Sequence, residues 1–208
     1  MNIPAGIRNI IFDLGGVVMD LDIEASRQAF VAMGFDGEAF HLQRDDGENI
    51  FVLFETGKMD ERTFLRRLRE LLPGHPGEER IREAWNRMIV GFREEKIRLL
   101  QALRERYRTF LLSNTNSLHV ARCNELLRQD HGIGGLDELF EETFYSYELG
   151  LRKPTPEIFR VVLERKGLRA GETLFIDDSR EHLAAAEKLG IVTRWMERNS
   201  DLAKVLGE

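Results

Sequence analysis

The chain has 208 residues, 42% of them hydrophobic, enough to bury roughly 70% of the unfolded surface in one substantial core with room for an insertion. Thirty-six acidic against 30 basic residues give a formal charge of -6, so no global positive field draws in nucleic acid or an anionic membrane, and an anionic substrate must be held by local charge. The single cysteine, Cys123, excludes an intrachain disulfide and a cysteine-based zinc site, and no uninterrupted apolar run approaches the ~18 residues of a membrane span; the expectation is a cytoplasmic protein, and MNIPAGIRNI carries no long apolar leader.

The first predicted element is the run Asn9 to Phe12, which delivers Asp13 into a loop that Gly15 and Gly16 then break (IIFDLGGVVMDLD). A buried strand that ends in one carboxylate is a way for an α/β enzyme to present a nucleophile or a metal ligand. Residues 18–93 follow as helix after helix with no convincing strand. Asp60 is a plausible N-cap for MDERTFLRRLRELL, in which Phe64, Leu65, Leu68, Leu71 and Leu72 recur at helical spacing. Pro73 to Gly77 ends that helix, and another runs through Ile81, Trp85, Met88 and Ile89. The phenylalanines of this stretch, Phe30, Phe35, Phe40, Phe51 and Phe54, are expected mostly between helices, with one or two left to line a pocket.

From there strands and helices alternate. Strands are predicted at Thr109 to Leu112, Thr143 to Tyr147, Thr173 to Ile176 and Ile191 to Trp195. The helices between them run from Ser117 to about Gln129, from Pro156 to just before Gly167, and from about Arg180 to Leu189, closed by Gly190. This order implies an α/β fold, a Rossmann-like doubly wound parallel sheet with an inserted α-helical cap. The core is residues 1–17 and 94–208 and the cap 18–93.

In such sheets a ligand lies beyond the carboxyl ends of the strands, where strand order reverses. Those ends carry Asp13, then Ser113 and Asn114, then Asp177 and Asp178, with Lys153 in the loop GLRKPTP as the natural cation. A lone aspartate after a strand is often only a turn former. The doublet is harder to set aside, because like charges ~4 Å apart repel by about 4 kcal/mol at an effective dielectric of ~20. A hard dication with oxygen ligands, together with Lys153, would compensate three crowded carboxylates.

The strings FDLGG, LLSN, GLRKP and FIDDS stand in the order that the haloacid dehalogenase-like hydrolase superfamily requires, and over most of its length the chain resembles that family. Within it the sequence is similar to a capped phosphatase branch that includes bacterial α-D-glucose-1-phosphate phosphatases. The resemblance implies a Mg²⁺-dependent phosphatase acting on a small phosphorylated metabolite. Asp13 would be the nucleophile, Ser113 and Asn114 would hold phosphate oxygens, and Lys153 would offset charge. Mg²⁺ would lie among Asp13, the Gly15 carbonyl, Asp178 and Asp177. Most phosphatases of the superfamily carry a second, acid/base aspartate where this chain has Gly15, although the glucose-phosphatase branch also has glycine there. Asp20 and Asp22 either swing a carboxylate inward in its place or, the preferred reading, cap the first insertion helix.

Two other readings stay open. Dehalogenation needs no proton donor and would explain Gly15, but it leaves the acidic doublet without a purpose. A catalytically silent binding module would be free to lose Asp13, Ser113, Lys153 or Asp178, and all four are present. His119 and Cys123 are expected to pack rather than react, and His182 to cover the start of its helix. The substrate and the oligomeric state are not legible.

Overall fold

The central strands of the sheet are apolar over most of their length because both of their faces are covered. In the computed structural model, which describes residues 3–37 and 49–207, β1 (Asn9–Phe12), β4 (Arg108–Ser113), β5 (Glu142–Tyr145), β6 (Thr173–Asp177) and β7 (Val192–Trp195) form one sheet in the order β5-β4-β1-β6-β7. Every pairing in it is parallel. Side chains alternate between the faces. Ile10, Phe12, Leu111, Leu174 and Ile176 share one apolar cluster with Leu100 and Leu103 of α5 (Glu94–Arg104) and Leu127 of α6 (Ser117–His131). Ile11, Phe110, Leu112, Phe144 and Phe175 share the other with Ile158 and Phe159 of α8 (Pro156–Lys166) and Leu183 and Ala186 of α9 (Arg180–Glu187). This double cover is the reason for the near-continuous hydrophobic runs that mark the strands in the sequence.

Between β1 and α5 the described residues form four helices: α1 (Ile23–Val31), α2 (Ile50–Glu55), α3 (Glu61–Leu71) and α4 (Glu78–Asn86). Asp60 caps α3 as expected, its carboxylate accepting from the Thr63 N–H at 2.7 Å. Phe30, Phe51, Phe54, Phe64 and Trp85 are buried together, with Phe51 stacked on Trp85 at 5.2 Å and Phe54 on Phe64 at 4.2 Å. Phe35 packs partly buried against the same cluster, and Phe40 lies outside the described residues. None of the described phenylalanines lines the cavity at the carboxyl ends of the strands.

The expectation of no strand in this stretch is corrected. Asp20–Leu21 (β2) pairs antiparallel with Ile89–Gly91 (β3) in a two-stranded ribbon, and α4 stops at Asn86, so Ile89 is strand rather than helix. Strands of two and three residues are too short to show a period in sequence. The ribbon braces the two chain crossings between the helices and the sheet. Asp20 accepts from Arg93 at 2.6 Å and from the buried Lys96 at 3.0 Å, and Lys96 also donates to the Val17 carbonyl at 2.7 Å. The remaining elements are α7 (Ser146–Leu149), which shortens the strand predicted through Tyr147, and α10 (Leu202–Leu206). Among the described residues no helix is long and apolar enough to cross a membrane.

Candidate active site

β1 sits between β4 and β6, so the loops that leave the carboxyl ends of these three strands meet. Asp13 follows β1 directly, Ser113 ends β4, and Asp177 ends β6 with Asp178 next to it. Lys153 enters from the loop ahead of α8 and is fully buried. Its ammonium donates to Asp13 Oδ1 at 2.7 Å, to Asp177 Oδ2 at 2.8 Å and to the Leu112 carbonyl at 2.8 Å. An ammonium has three protons, and all three are used. Lys153 is thereby fixed as a point charge between two carboxylates.

The loop that carries it is held in register by Asn114. The Asn114 amide donates to the Lys153 carbonyl and accepts from the Lys153 N–H, both at 2.8 Å. The side chain of Asn114 therefore positions Lys153, and the part expected of Asn114 toward a bound anion falls to its main-chain N–H. One residue on, Ser146 clamps Thr115, donating to its carbonyl at 3.1 Å and accepting from its N–H at 2.9 Å.

The two members of the acidic doublet differ. Asp177 is completely buried; its Oδ1 accepts from the Ser179 N–H at 2.7 Å, and His182 Nδ1 lies 3.0 Å from each of its oxygens. Asp178 lines the cavity, and its Oδ2 accepts from Arg198 Nε at 2.6 Å. One oxygen each of Asp13, Asp177 and Asp178 lie within 4.8 Å of one another. This all-oxygen set suits a hard divalent cation, and with Lys153 and Arg198 beside it a dication would leave the cluster net positive toward an anion. Both of the Asp177 oxygens are already engaged, so Asp178 is the better placed of the doublet to ligate directly.

The charges are tuned by their surroundings. Burial pushes the Asp13 carboxyl up to about 6 against the pull of Lys153, with Asp177 adding to the rise. Burial also works to raise Asp177, but Lys153 and the His182 hydrogen bond outweigh it and hold that carboxyl at about 2. Burial works to lower Lys153; the two carboxylates outweigh it, and the ammonium is held above its ordinary range. Asp177 and Lys153 are thus held ionised, and Asp13 is the more basic of the two carboxylates.

At Gly15 the loop is tight, and an acid there would have to displace a leucine side chain. A Cβ there would stand 3.1 Å from Leu21 Cδ2, and Leu21 with Met19 forms an apolar wall of the cavity. Neither nearby carboxylate turns inward: Asp22 caps α1 through the Ala25 N–H, while Asp20 is no cap and pairs with Arg93 and Lys96. Gly16 adopts φ +83°, and a Cβ there would meet Arg198 Cγ and Asp178 Oδ2 at 2.9 Å.

The cavity above these groups has a volume of about 270 Å³. Gly15, Ser113, Asn114 and Asp178 line it beside Asp13 and Lys153, and Met88 and Thr115 close other sides. His119 also reaches it, yet is committed to packing. It stacks on Trp85 at 4.7 Å with Nε2 3.2 Å from the Trp85 carbonyl, and burial pushes its pKa down to about 4. Burial pushes the Cys123 thiol up to about 12, in keeping with an inert side chain. His182 does more than cover its helix, since it holds Asp177. Among the residues without a role expected from sequence, Arg198, Glu55 and Arg152 also line the cavity. Arg198 could have been found from topology, because β7 pairs with β6 and the loop beyond it must lie beside Asp178.

Comparison with known proteins adds a second line of support. A family profile described as haloacid dehalogenase-like hydrolase matches residues 7–190. The D-ribitol-5-phosphate phosphatase of Bacteroides thetaiotaomicron is 31% identical over 199 residues, covering 94% of each chain. A HAD family enzyme of the same organism, crystallised as a variant in complex with magnesium and inorganic phosphate, superposes with a TM-score of 0.90 at 34% identity, over 97% of this chain and 100% of that one. A HAD-like family hydrolase of Porphyromonas gingivalis gives a TM-score of 0.82 at 31% identity, over 98% and 100%.

Proposed function

The chain belongs to the haloacid dehalogenase-like hydrolase family, and on that footing we propose that it is a Mg²⁺-dependent phosphatase that hydrolyses a small phosphorylated metabolite by way of an aspartyl-phosphate on Asp13. The observation that carries this reading is the convergence of Asp13, Lys153 and Asp178 at the floor of one cavity, with Asp177 buried behind them.

Asp13 stands at the end of the central strand, where its carboxylate attacks phosphorus; the P–O bond to the ester oxygen breaks, and the departing alkoxide takes its proton from solvent. Water then attacks the acyl phosphate, so one slow hydrolysis becomes two easier displacements. Ser113 and the Asn114 N–H hold the transferring oxygens, and Lys153 offsets charge on the nucleophile and on the phosphoryl group. Asp13, Asp178 and the Gly15 carbonyl would hold Mg²⁺, which when bound supplies positive charge to the phosphate oxygens. Asp177 stands behind them and fixes Lys153 and His182. Residues 18–93 act as the cap that closes the site and selects the substrate, and residues 1–17 and 94–208 as the catalytic core. A cytoplasmic location, with no membrane or nucleic-acid partner, belongs to the same reading.

A relative named for D-ribitol 5-phosphate supports a sugar or sugar-alcohol phosphate as the substrate. The likeness to glucose-1-phosphate phosphatases has no counterpart among the relatives described above, so sugar 1-phosphates are given no precedence. Dehalogenation would leave the three clustered carboxylates without work. The test is a phosphate-release panel of alditol phosphates, sugar 1- and 6-phosphates and aryl phosphates, run with and without Mg²⁺. Metal-dependent release from at least one small phosphate ester is expected. Halide release without added metal from a haloacid would reverse the reading.

A further inference from the structure

In the same cavity, apart from the carboxylate cluster, stands a second polar pair. Glu55 ends α2 and Arg152 immediately precedes Lys153; both line the cavity, and Arg152 Nη2 lies 3.3 Å from Glu55 Oε2. Glu55 is buried, and among the described residues its Oε2 accepts no hydrogen bond. Burial pushes its carboxyl up to about 7, with Arg152 pulling the other way. The backbone just beyond it is pinned to the core side: Gly57 adopts φ +66°, and a Cβ there would run into the Tyr147 carbonyl. The turn therefore cannot carry a side chain at that point, and Glu55 is held where it is.

A buried carboxylate oxygen that has an ion-pair partner but no aligned hydrogen bond gains from a donor that something else brings. What enters this cavity is an ester whose anionic end belongs at Lys153. A second anion at the Glu55 end would find its positive partner, Arg152, already paired with the Glu55 carboxyl. An apolar group would leave the oxygen unsatisfied. A hydroxyl donates to a carboxylate and accepts from a guanidinium, so it fits both members of the pair. Met19, Leu21, Ile23 and Met88 supply an apolar wall between the two poles, against which the C–H side of a polyol can rest.

Resting on the phosphatase reading, we propose that Glu55 and Arg152 form a hydroxyl-recognition subsite that selects phosphate esters of uncharged polyols. The pair is a specificity device and takes no part in phosphoryl transfer.

The experiment compares ribitol 5-phosphate with pentyl phosphate, the same carbon chain without hydroxyls, using the full chain with Mg²⁺. The readout is the ratio of their kcat/KM values. Sites built to hydrogen-bond a hydroxyl reject its absence by up to ~10⁴; here the wild-type ratio is expected to be on the order of 10² or more, and Glu55→Leu to lower it by at least about tenfold. Glu55→Gln, which preserves shape and an acceptor, is expected to retain more of the ratio and serves if the leucine variant does not fold, circular dichroism reporting which. A wild-type ratio near unity, or variants that slow both esters in proportion, would overturn the subsite and leave the phosphatase reading standing. No Mg²⁺-dependent release from either ester or from an aryl phosphate would overturn both.

Discussion

Lys153 Nζ donates to Asp13 Oδ1 at 2.7 Å across 140 residues of sequence, and the same nitrogen donates to Asp177 Oδ2 at 2.8 Å. The pairing is dry, since the Lys153 and Asp177 side chains are fully buried. Removing the cation would leave two buried carboxylates uncompensated. Lys153→Ala is expected to cost about 3 to 5 kcal/mol of stability in urea titration. It should also lower kcat/KM by on the order of 10² or more. A variant as stable as the wild type would mean that Lys153 is not the counter-ion described.

Leu21 stands close on the side of the loop on which an acid at Gly15 would project, and neither Asp20 nor Asp22 takes its place. Positioned acid catalysis contributes ~10² to 10⁴ in rate, so the shortfall falls on esters whose alcohols leave poorly. Aryl and acyl phosphates should turn over faster than simple alkyl phosphates, with log kcat/KM falling as leaving-group pKa rises. A flat series would show that some group still delivers the proton.

Gly16 turns the chain with φ +83° directly beneath Asp178. A left-handed non-glycine residue costs roughly 1 to 2 kcal/mol, and here the new methyl also presses on the Asp178 carboxylate. Gly16→Ala should lower the melting temperature and raise the Mg²⁺ concentration needed for half-maximal activity. An unchanged metal requirement would remove Asp178 from the proposed metal site.

His119 is buried neutral against Trp85, its pKa down to about 4. A histidine whose folded pKa lies below its unfolded value of roughly 6.5 contributes stability that is full above that value. The contribution is lost as pH falls from there toward 4, on the order of 3 kcal/mol in all. His119→Asn should flatten that part of the stability profile measured by denaturant at successive pH values. An identical slope in the variant would place the titration elsewhere.

How much of this could be read from the chain follows from the physics of each part. Strands covered on both faces write continuous apolar runs, and an aspartate or serine at the end of such a run stands out, so Asp13, Ser113 and the Asp177-Asp178 doublet were legible. Lys153 was legible as the cation of its loop, although the use of Asn114 as its bracket was not, because a side-chain amide bonded to a distant backbone leaves no spacing to find. The ribbon of β2 and β3 was missed for its length. Glu55 ends a helix that reads IFVLFE and looks like core, and Arg198 lies in a polar stretch where one more arginine carries no pattern.

The most direct measurement is acid quenching during turnover of a phosphate ester with Mg²⁺, followed by peptide mapping for a borohydride-reducible acyl phosphate. The expected label lies on the peptide containing Asp13 and is absent, along with turnover, from the folded Asp13→Asn variant. Sustained turnover by that variant, or an acyl phosphate on any other residue, would contradict the assignment of Asp13 as the nucleophile.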